Sequence, residues 1–341
     1  SAMSITGGLV PLEIVVSGLT MTPIVSGSTI TINGFGSLTL SGNFVREDNV
    51  IIPNVNTTLT NAGPASTINS GATNTFTFNV STGSNPNVKP VKNGTTFAEV
   101  SAGINSMDLI AIQKHILGSV PLTSPYQRIA ADINGSNSIT SVDLVAVKQL
   151  LLGQISIFPN SVPAWRFVDR SVTIPLTVNF VDPSTIKESI SYINMVSNIN
   201  NANFIGVKVG DVNNSLSPIT FTNDATDRGN GIYNLFTTDR EFESNEDIYV
   251  NINSNDYKDI TALQGTFDYD VNKLEFKDIK FGNANGLNKE SFNLQLTKNG
   301  KIPMVWFDPN GLSIENDENV VTLIFKSKNY FSINILLFFF F

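Results

Sequence analysis

The sequence has no cysteine and one histidine among its 341 residues, and charged residues make up only 15% of it. The first absence excludes disulfide staples, thiolate metal sites and cysteine nucleophiles. The second leaves little for imidazole chemistry, because His115 sits in a helical stretch beside Lys114 with no serine context for a catalytic triad. HExxH, Gly-rich phosphate-loop and dinucleotide fingerprints are also missing, so the chain reads as non-catalytic. Only a glycosidase-type carboxylate pair among the 29 Asp and Glu residues stays open. The net charge of −8 argues against a nucleic-acid partner held through its phosphates. No apolar run is long enough to cross a bilayer, the terminal LLFFFF included. The opening SAMSITGGLV lacks a signal-peptide pattern, so the chain is expected to be an internal fragment, with residues 331–341 a truncated or artefactual tail.

What is present begins with Asp132 to Gly153, DINGSNSITSVDLVAVKQLLLG. Counting from Asp132, oxygen-bearing side chains fall at positions 1, 3, 5, 9 and 12 (Asp132, Asn134, Ser136, Thr140, Asp143), and Ser138 offers a backbone carbonyl at position 7. That is the ligand spacing of an EF-hand-type loop, which wraps six to eight oxygens round a Ca²⁺ at about 2.3 to 2.6 Å. Position 6 needs a sharp turn, and Asn137 tolerates the left-handed backbone there. Asp143 opens an apolar run that stops at Gly153, so a helix is expected to follow the loop. With only two carboxylates the loop suits millimolar extracellular calcium rather than the cytosol.

The stretch 104–118, INSMDLIAIQKHILG, aligns without gaps to 139–153, ITSVDLVAVKQLLLG, with seven of fifteen positions identical. Two loop-helix units at a fixed spacing are an internal repeat. Over residues 93–155 the chain resembles a type I dockerin, a module of two calcium-loop-plus-helix segments. The resemblance implies Ca²⁺ at Asp132, Asn134, Ser136, Ser138, Thr140 and Asp143. The first copy departs from the pattern, since counting back from Asp108 puts Phe97 at position 1. Either Asn93 or another oxygen reaches in from a longer loop, or the first site is weak; Glu99, Asn105 and Asp108 are its candidate ligands. The same resemblance places partner contacts at Ser106, Met107, Gln113 and Lys114, and at Ser141, Val142, Lys148 and Gln149. The second helix carries apolar residues round most of its circumference, which calls for cover on more than one side, by the sister helix and by a partner or the following segment.

Elsewhere, short alternating runs separated by Gly, Ser and Asn read as strands. Residues 1–36 read as the end of a preceding β domain. Leu40 to Val45, Ile51 to Val55 and Thr75 to Val80 resemble carboxypeptidase-regulatory-like or transthyretin-like sandwiches, assigned to 37–92. Residues 156–215, with Ala164 to Val168 and Asn203 to Asn213, read as strands covering the helices. Gly210-Asp-Val-Asn213 has the start of a further calcium loop, but its position 12 counts to Thr222, which has no carboxylate, so it reads as a strand end before a linker at 216–227. In 228–330, Gly265 to Phe276, Trp306 and Leu323 to Lys326 resemble a cohesin-like sandwich.

The expected fold class is therefore mainly β and multidomain, with sandwiches flanking a small helical EF-hand-like module. The resemblances imply a non-catalytic, calcium-binding protein, extracellular or on a cell surface, that docks to a cohesin-like domain in its own or another chain, in polysaccharide-processing or cell-surface assemblies. An adhesin-like spacer and a carbohydrate-binding module are the alternatives.

Overall fold

The structure, a computed structural model, describes residues 36–176, 182–218, 234–237, 241–255 and 258–329, with short strands at Ile14–Val16, Leu19–Met21, Val25–Ser26, Thr29–Ile30 and Phe331–Ser332. The expected β domain at 1–36, the linker and the tail otherwise lie outside these residues.

After the short strands before residue 36 come β1 (Ser37–Val45), β2 (Asn56–Thr60), β3 (Ser66–Asn69), β4 (Thr75–Ser81) and β5 (Asn87–Val91). β4 shows how sequence becomes layer: Phe76, Phe78 and Val80 are buried while Thr75, Thr77, Asn79 and Ser81 are exposed, the alternation that gives a strand one wet and one dry face. Ile51 to Val55 is not a strand; Pro53 cannot donate to a ladder and Asn54 turns at φ 56°. Four helices follow, α1 (Phe97–Ser101), α2 (Ser106–Ile116), α3 (Pro125–Ala131) and α4 (Ser141–Leu151). Then come β6 (Trp165–Asp169), β7 (Ile190–Ser191) and β8 (Phe204–Lys208).

The strands on either side of the helices share sheets. One sheet runs β6-β8-β1-β4 and the other β7-β5-β2-β3. β8 lies parallel to β1, with Phe204 opposite Phe44, and a parallel pair requires a long crossover. The helices are in that crossover, so residues 37–92 and 156–215, which the sequence divides, close into one two-sheet unit. Phe44 is its centre: fully buried, its ring lies 5.3 Å from Phe76, 5.6 Å from Phe167 and 6.0 Å from Phe204, contacts of the offset and edge type that aromatic rings favour. Chain closure is tight as well. A Cβ on Gly42 would lie 1.9 Å from the Ala202 carbonyl oxygen, so only glycine lets residues 199–202 run alongside β1.

In the helical insert, α2 and α4 pack on each other. Each starts on a capping box, Asn105 with Asp108 and Thr140 with Asp143, and a left-handed glycine follows each end, Gly118 at φ 70° and Gly153 at φ 65°. Leu109, Ile112, Val147 and Leu150 are buried. The broad apolar surface of α4 is only partly covered, because Val142 and Val145 stay exposed.

His115 lies in this core, where its Nδ1 accepts a hydrogen bond from the Leu122 N–H at 3.1 Å. Burial, and then the charge of Arg128, push its pKa down. A depressed histidine pKa means that the unfolded chain binds the proton more readily. Its contribution is complete above about pH 6.5 and is lost as the pH falls through the lowered value. Thermal melts are expected to fall between pH 7 and pH 5 in the wild type and to fall less in His115→Gln; equal slopes would refute this.

A second sandwich contains β9 (Asn234–Phe236), β10 (Asp247–Asn255), β11 (Ile260–Asp268), β12 (Leu274–Phe281), β13 (Lys301–Leu312) and β14 (Asn319–Ser327). One sheet runs β9-β10-β14-β12, and β11 pairs with β13 in the other. Ile248, Phe267, Ile302, Trp306 and Phe325 are among the residues of its own core.

Candidate docking face and cation loops

The Asp132 loop closes on itself through hydrogen bonds at the expected register. The Ser136 N–H donates to Asp132 Oδ1 and Asn134 Oδ1, both at 2.9 Å, and the Asn137 N–H to Asp132 Oδ2 at 2.9 Å. Ser136 Oγ donates to the Ser138 carbonyl at 3.1 Å. Asp143 ties the far end back, accepting from the Asn134 N–H at 3.2 Å and the Thr140 N–H at 2.9 Å. Thr140 Oγ1 caps α4 by accepting from the Val142 N–H, and Asn137 makes its turn at φ 65°. Asp132 and Asp143 are both fully buried. Burial pushes the Asp132 pKa up, and the neighbouring Asp143 charge adds to the rise. A donor set of carboxylate, amide, hydroxyl and carbonyl oxygens around two buried like charges fits a hard divalent cation.

Of the first copy's candidates, Asn105 and Asp108 meet, the Asn105 N–H donating to Asp108 Oδ2 at 2.9 Å, while Glu99 serves another helix. Glu99 caps α1, accepting from the Thr95 and Thr96 N–H groups at 2.8 and 3.0 Å. Asn105 caps α2, accepting from the Met107 N–H at 2.8 Å. Asp108 is fully buried, and its Oδ1 accepts from the Val212 N–H at 2.9 Å and the Asn213 N–H at 3.3 Å. Opposite it is Asp211, also buried. Burial, and then the Asp211 charge, hold Asp108 well above the usual carboxylate range; burial also raises Asp211. Behind them the Lys208 ammonium donates to the Val100 and Val209 carbonyls at 2.6 and 3.2 Å, its pKa lowered by burial to about 8. Reading along the chain did not join Asp211 to Asp108. The signal for it is that 211–217, DVNNSLS, repeats 132–138, DINGSNS, at positions 1, 3, 5 and 7.

The helical insert also meets the second sandwich. The Ser106 N–H donates to Gln264 Oε1 at 3.0 Å, and Asn293 Nδ2 donates to the Leu152 carbonyl at 2.9 Å. Gln264 pairs across the sheet with Val305. Along β13, Ile302, Met304 and Trp306 face the sandwich's own core, while Val305 belongs to the core of the first unit and Phe307 packs against it. Successive strand residues point to opposite faces, so the unbroken apolar run Ile302 to Phe307 is a strand buried on both sides. Lys148 of α4 is partly desolvated, which lowers its pKa, and the Glu290 charge works against that shift. The partner-contact candidates thus divide. Ser106 touches the sandwich and Lys148 faces its Glu290, Gln113, Lys114 and Gln149 are half-buried, and Met107, Ser141 and Val142 are exposed.

Residues 101–152 match the dockerin type I domain family, and residues 233–331 match the cohesin domain family. A region similar to type I dockerins is thus followed by a region similar to cohesins. Both families are of non-catalytic modules, and they imply protein–protein docking or assembly. No curated protein matches the chain. Among solved structures, it is similar to a type I cohesin–dockerin complex from Clostridium thermocellum, at 16% identity over 30% of this chain and 83% of that one, with a TM-score of 0.25. It is also similar to the seventh ScaB type I cohesin from Pseudobacteroides cellulosolvens, at 21% identity over 28% and 65%, TM-score 0.23. A third is the full-length major pilin SpaD from Corynebacterium diphtheriae, at 11% identity over 88% and 59%, TM-score 0.23. Among the described residues no helix is long and apolar enough to cross a membrane.

Proposed function

We propose that this protein is a calcium-stabilised assembly module of the cell exterior in which the dockerin-like helices dock on the chain's own cohesin-like sandwich. The observation that carries the reading is Val305. It is fully buried, and it is buried on the outer side of its sheet, in the core shared with the helices. An interface with an apolar centre and hydrogen bonds at its edge, from Ser106 to Gln264 and from Asn293 to Leu152, has the anatomy of specific docking.

Calcium, when bound, supplies positive charge between the buried carboxylates of the Asp132 loop. The protein's part is to aim Asp132, Asn134, Ser136, the Ser138 carbonyl and Asp143 at one point and to start α4 from it. Two carboxylates give the modest affinity suited to extracellular calcium, which supports an exterior location. A rigid spacer is the second reading, favoured by the same contact, since docking within one chain fixes its two sandwiches. The two readings differ in whether the sandwich also accepts helices from another chain.

Val305→Asp tests the docking. A carboxylate at the centre of the apolar contact cannot be desolvated without a partner. The variant is expected to keep its strand content and to show a larger radius of gyration in small-angle scattering. An unchanged radius would remove cis docking. A chain that opens and then binds a wild-type copy would favour assembly over the spacer.

A further inference from the structure

We propose that the chain has a second calcium site whose loop is split, its first half being Asp211, Asn213 and Ser215 and its second half Gly103, Asn105 and Asp108. The inference borrows its register from the reading of residues 132–143 as a calcium loop, and it assigns ligands outside the contiguous repeat.

Two independent observations converge on it. The first is in the sequence. DVNNSLS at 211–217 keeps Asp, Asn, Ser and Ser at positions 1, 3, 5 and 7 of DINGSNS, and GINSMDL at 103–109 supplies the continuation that SITSVDL gives at 138–144. The 211 segment has a beginning without a carboxylate at position 12; the 103 segment has the position 12 carboxylate without a beginning.

The second observation is the geometry that joins them. The Ser215 N–H donates to Asp211 Oδ1 and Asn213 Oδ1, both at 2.9 Å, as the Ser136 N–H does to Asp132 and Asn134. The Leu216 N–H donates to Asp211 Oδ2 at 3.1 Å, as the Asn137 N–H does to Asp132 Oδ2. Ser215 Oγ donates to the Gly103 carbonyl at 2.8 Å, as Ser136 Oγ does to that of Ser138. Asp108 accepts from the Asn213 N–H and, through its other oxygen, from the Asn105 N–H at 2.9 Å, as Asp143 does from Asn134 and Thr140. A loop joined from remote pieces has no intrinsic reason to copy the other bond for bond; a shared ligand supplies one.

Charge gives the same direction. Asp108 and Asp211 are two buried carboxylates, and Lys208, held by two carbonyls, offsets one charge of the two. A hard cation meeting carboxylate, amide, hydroxyl and carbonyl oxygens completes the balance. It would pin the end of β8 to the start of α2, the helix whose first residue meets the cohesin-like sandwich.

Calcium titration of the full chain by calorimetry is the test, on the wild type and on Asp132→Ala and Asp211→Ala. The expected result is two ions per wild-type chain and one in each variant. A single ion abolished by Asp132→Ala and kept by Asp211→Ala overturns the split site and leaves the 132–143 loop standing. A single ion abolished by Asp211→Ala and kept by Asp132→Ala supports the split site and removes the other. No binding at all overturns both. Because Asp211→Ala also deprives Ser215 and Leu216 of their acceptor, Asp211→Asn is the second variant. It keeps an acceptor and loses the charge, and at least a tenfold loss of affinity for one of two ions, with an unchanged circular dichroism spectrum, is expected. Unchanged affinity overturns the proposal. Calcium should also protect residues 211–218 from protease in the wild type, and equal cleavage with and without chelator counts against it.

Discussion

Chelation of calcium is expected to lower the melting temperature of the unit containing the helical insert by roughly 5 to 10 °C. The reasoning is linkage: a ligand that binds only the folded state stabilises it by RT ln(1 + [L]/Kd), about 2.7 kcal/mol for a ligand at a hundred times its Kd. In a unit of 150 to 250 residues, each kcal/mol moves the midpoint by about 2 to 4 °C. The effect should centre on the Asp132 loop, where buried Asp132 and Asp143 repel one another once the ion is gone. Scanning calorimetry at 1 mM Ca²⁺ and then with excess chelator checks it, and Asp143→Ala should lose the part of the calcium shift that the Asp132 loop supplies and keep only what the split site adds. Coincident wild-type melts would mean that calcium contributes nothing to folding.

Phe44→Ala is expected to cost about 3 to 5 kcal/mol, the range for removing a large buried aromatic. Its ring is the meeting point of Phe76 on β4, Phe167 on β6 and Phe204 on β8. Two of those strands lie after the helical insert and one before it. The variant should therefore loosen both halves together, and the helices held between them should melt in the same transition. Urea unfolding followed by tryptophan fluorescence and by far-ultraviolet circular dichroism would show a single, shifted midpoint. If the helical signal kept the wild-type midpoint, the insert would be an independent unit and the shared core would have to be given up.

The sequence shows local patterns far better than distant pairings, and this chain illustrates the difference. The gapless repeat announces α2 and α4, since Asn105 and Thr140 mark their starts and Gly118 and Gly153 follow their ends. All these signals lie within one turn of the feature they report. Alternation along Thr75 to Ser81 gives the buried face of β4 but not its neighbour. For that reason the union of β1 with β8 across the insert cannot be read from either strand. Ile302 to Phe307 carried a signal for the docking face, because an apolar run without alternation needs cover on both sides. Counting onward from Asp211 reached Thr222, and that count presumed an unbroken loop. Asp108 is far from it in sequence, yet accepts hydrogen bonds from the Val212 and Asn213 N–H groups that follow it.

The parallel pairing of β8 with β1 also sets an order of events during synthesis. The Thr39 N–H donates to Asn198 Oδ1, an acceptor that arrives 159 residues later. Until then β1 has only β4 on one side, and its other edge is open to any strand that offers itself. Contacts so remote close late and slowly, because the loop entropy is lost before the packing is gained. The helical repeat, made of local contacts, can form while that edge waits. A nascent chain halted before residue 198 would then be the form most prone to aggregate, and one extended past residue 208 would be the first able to close its sheet.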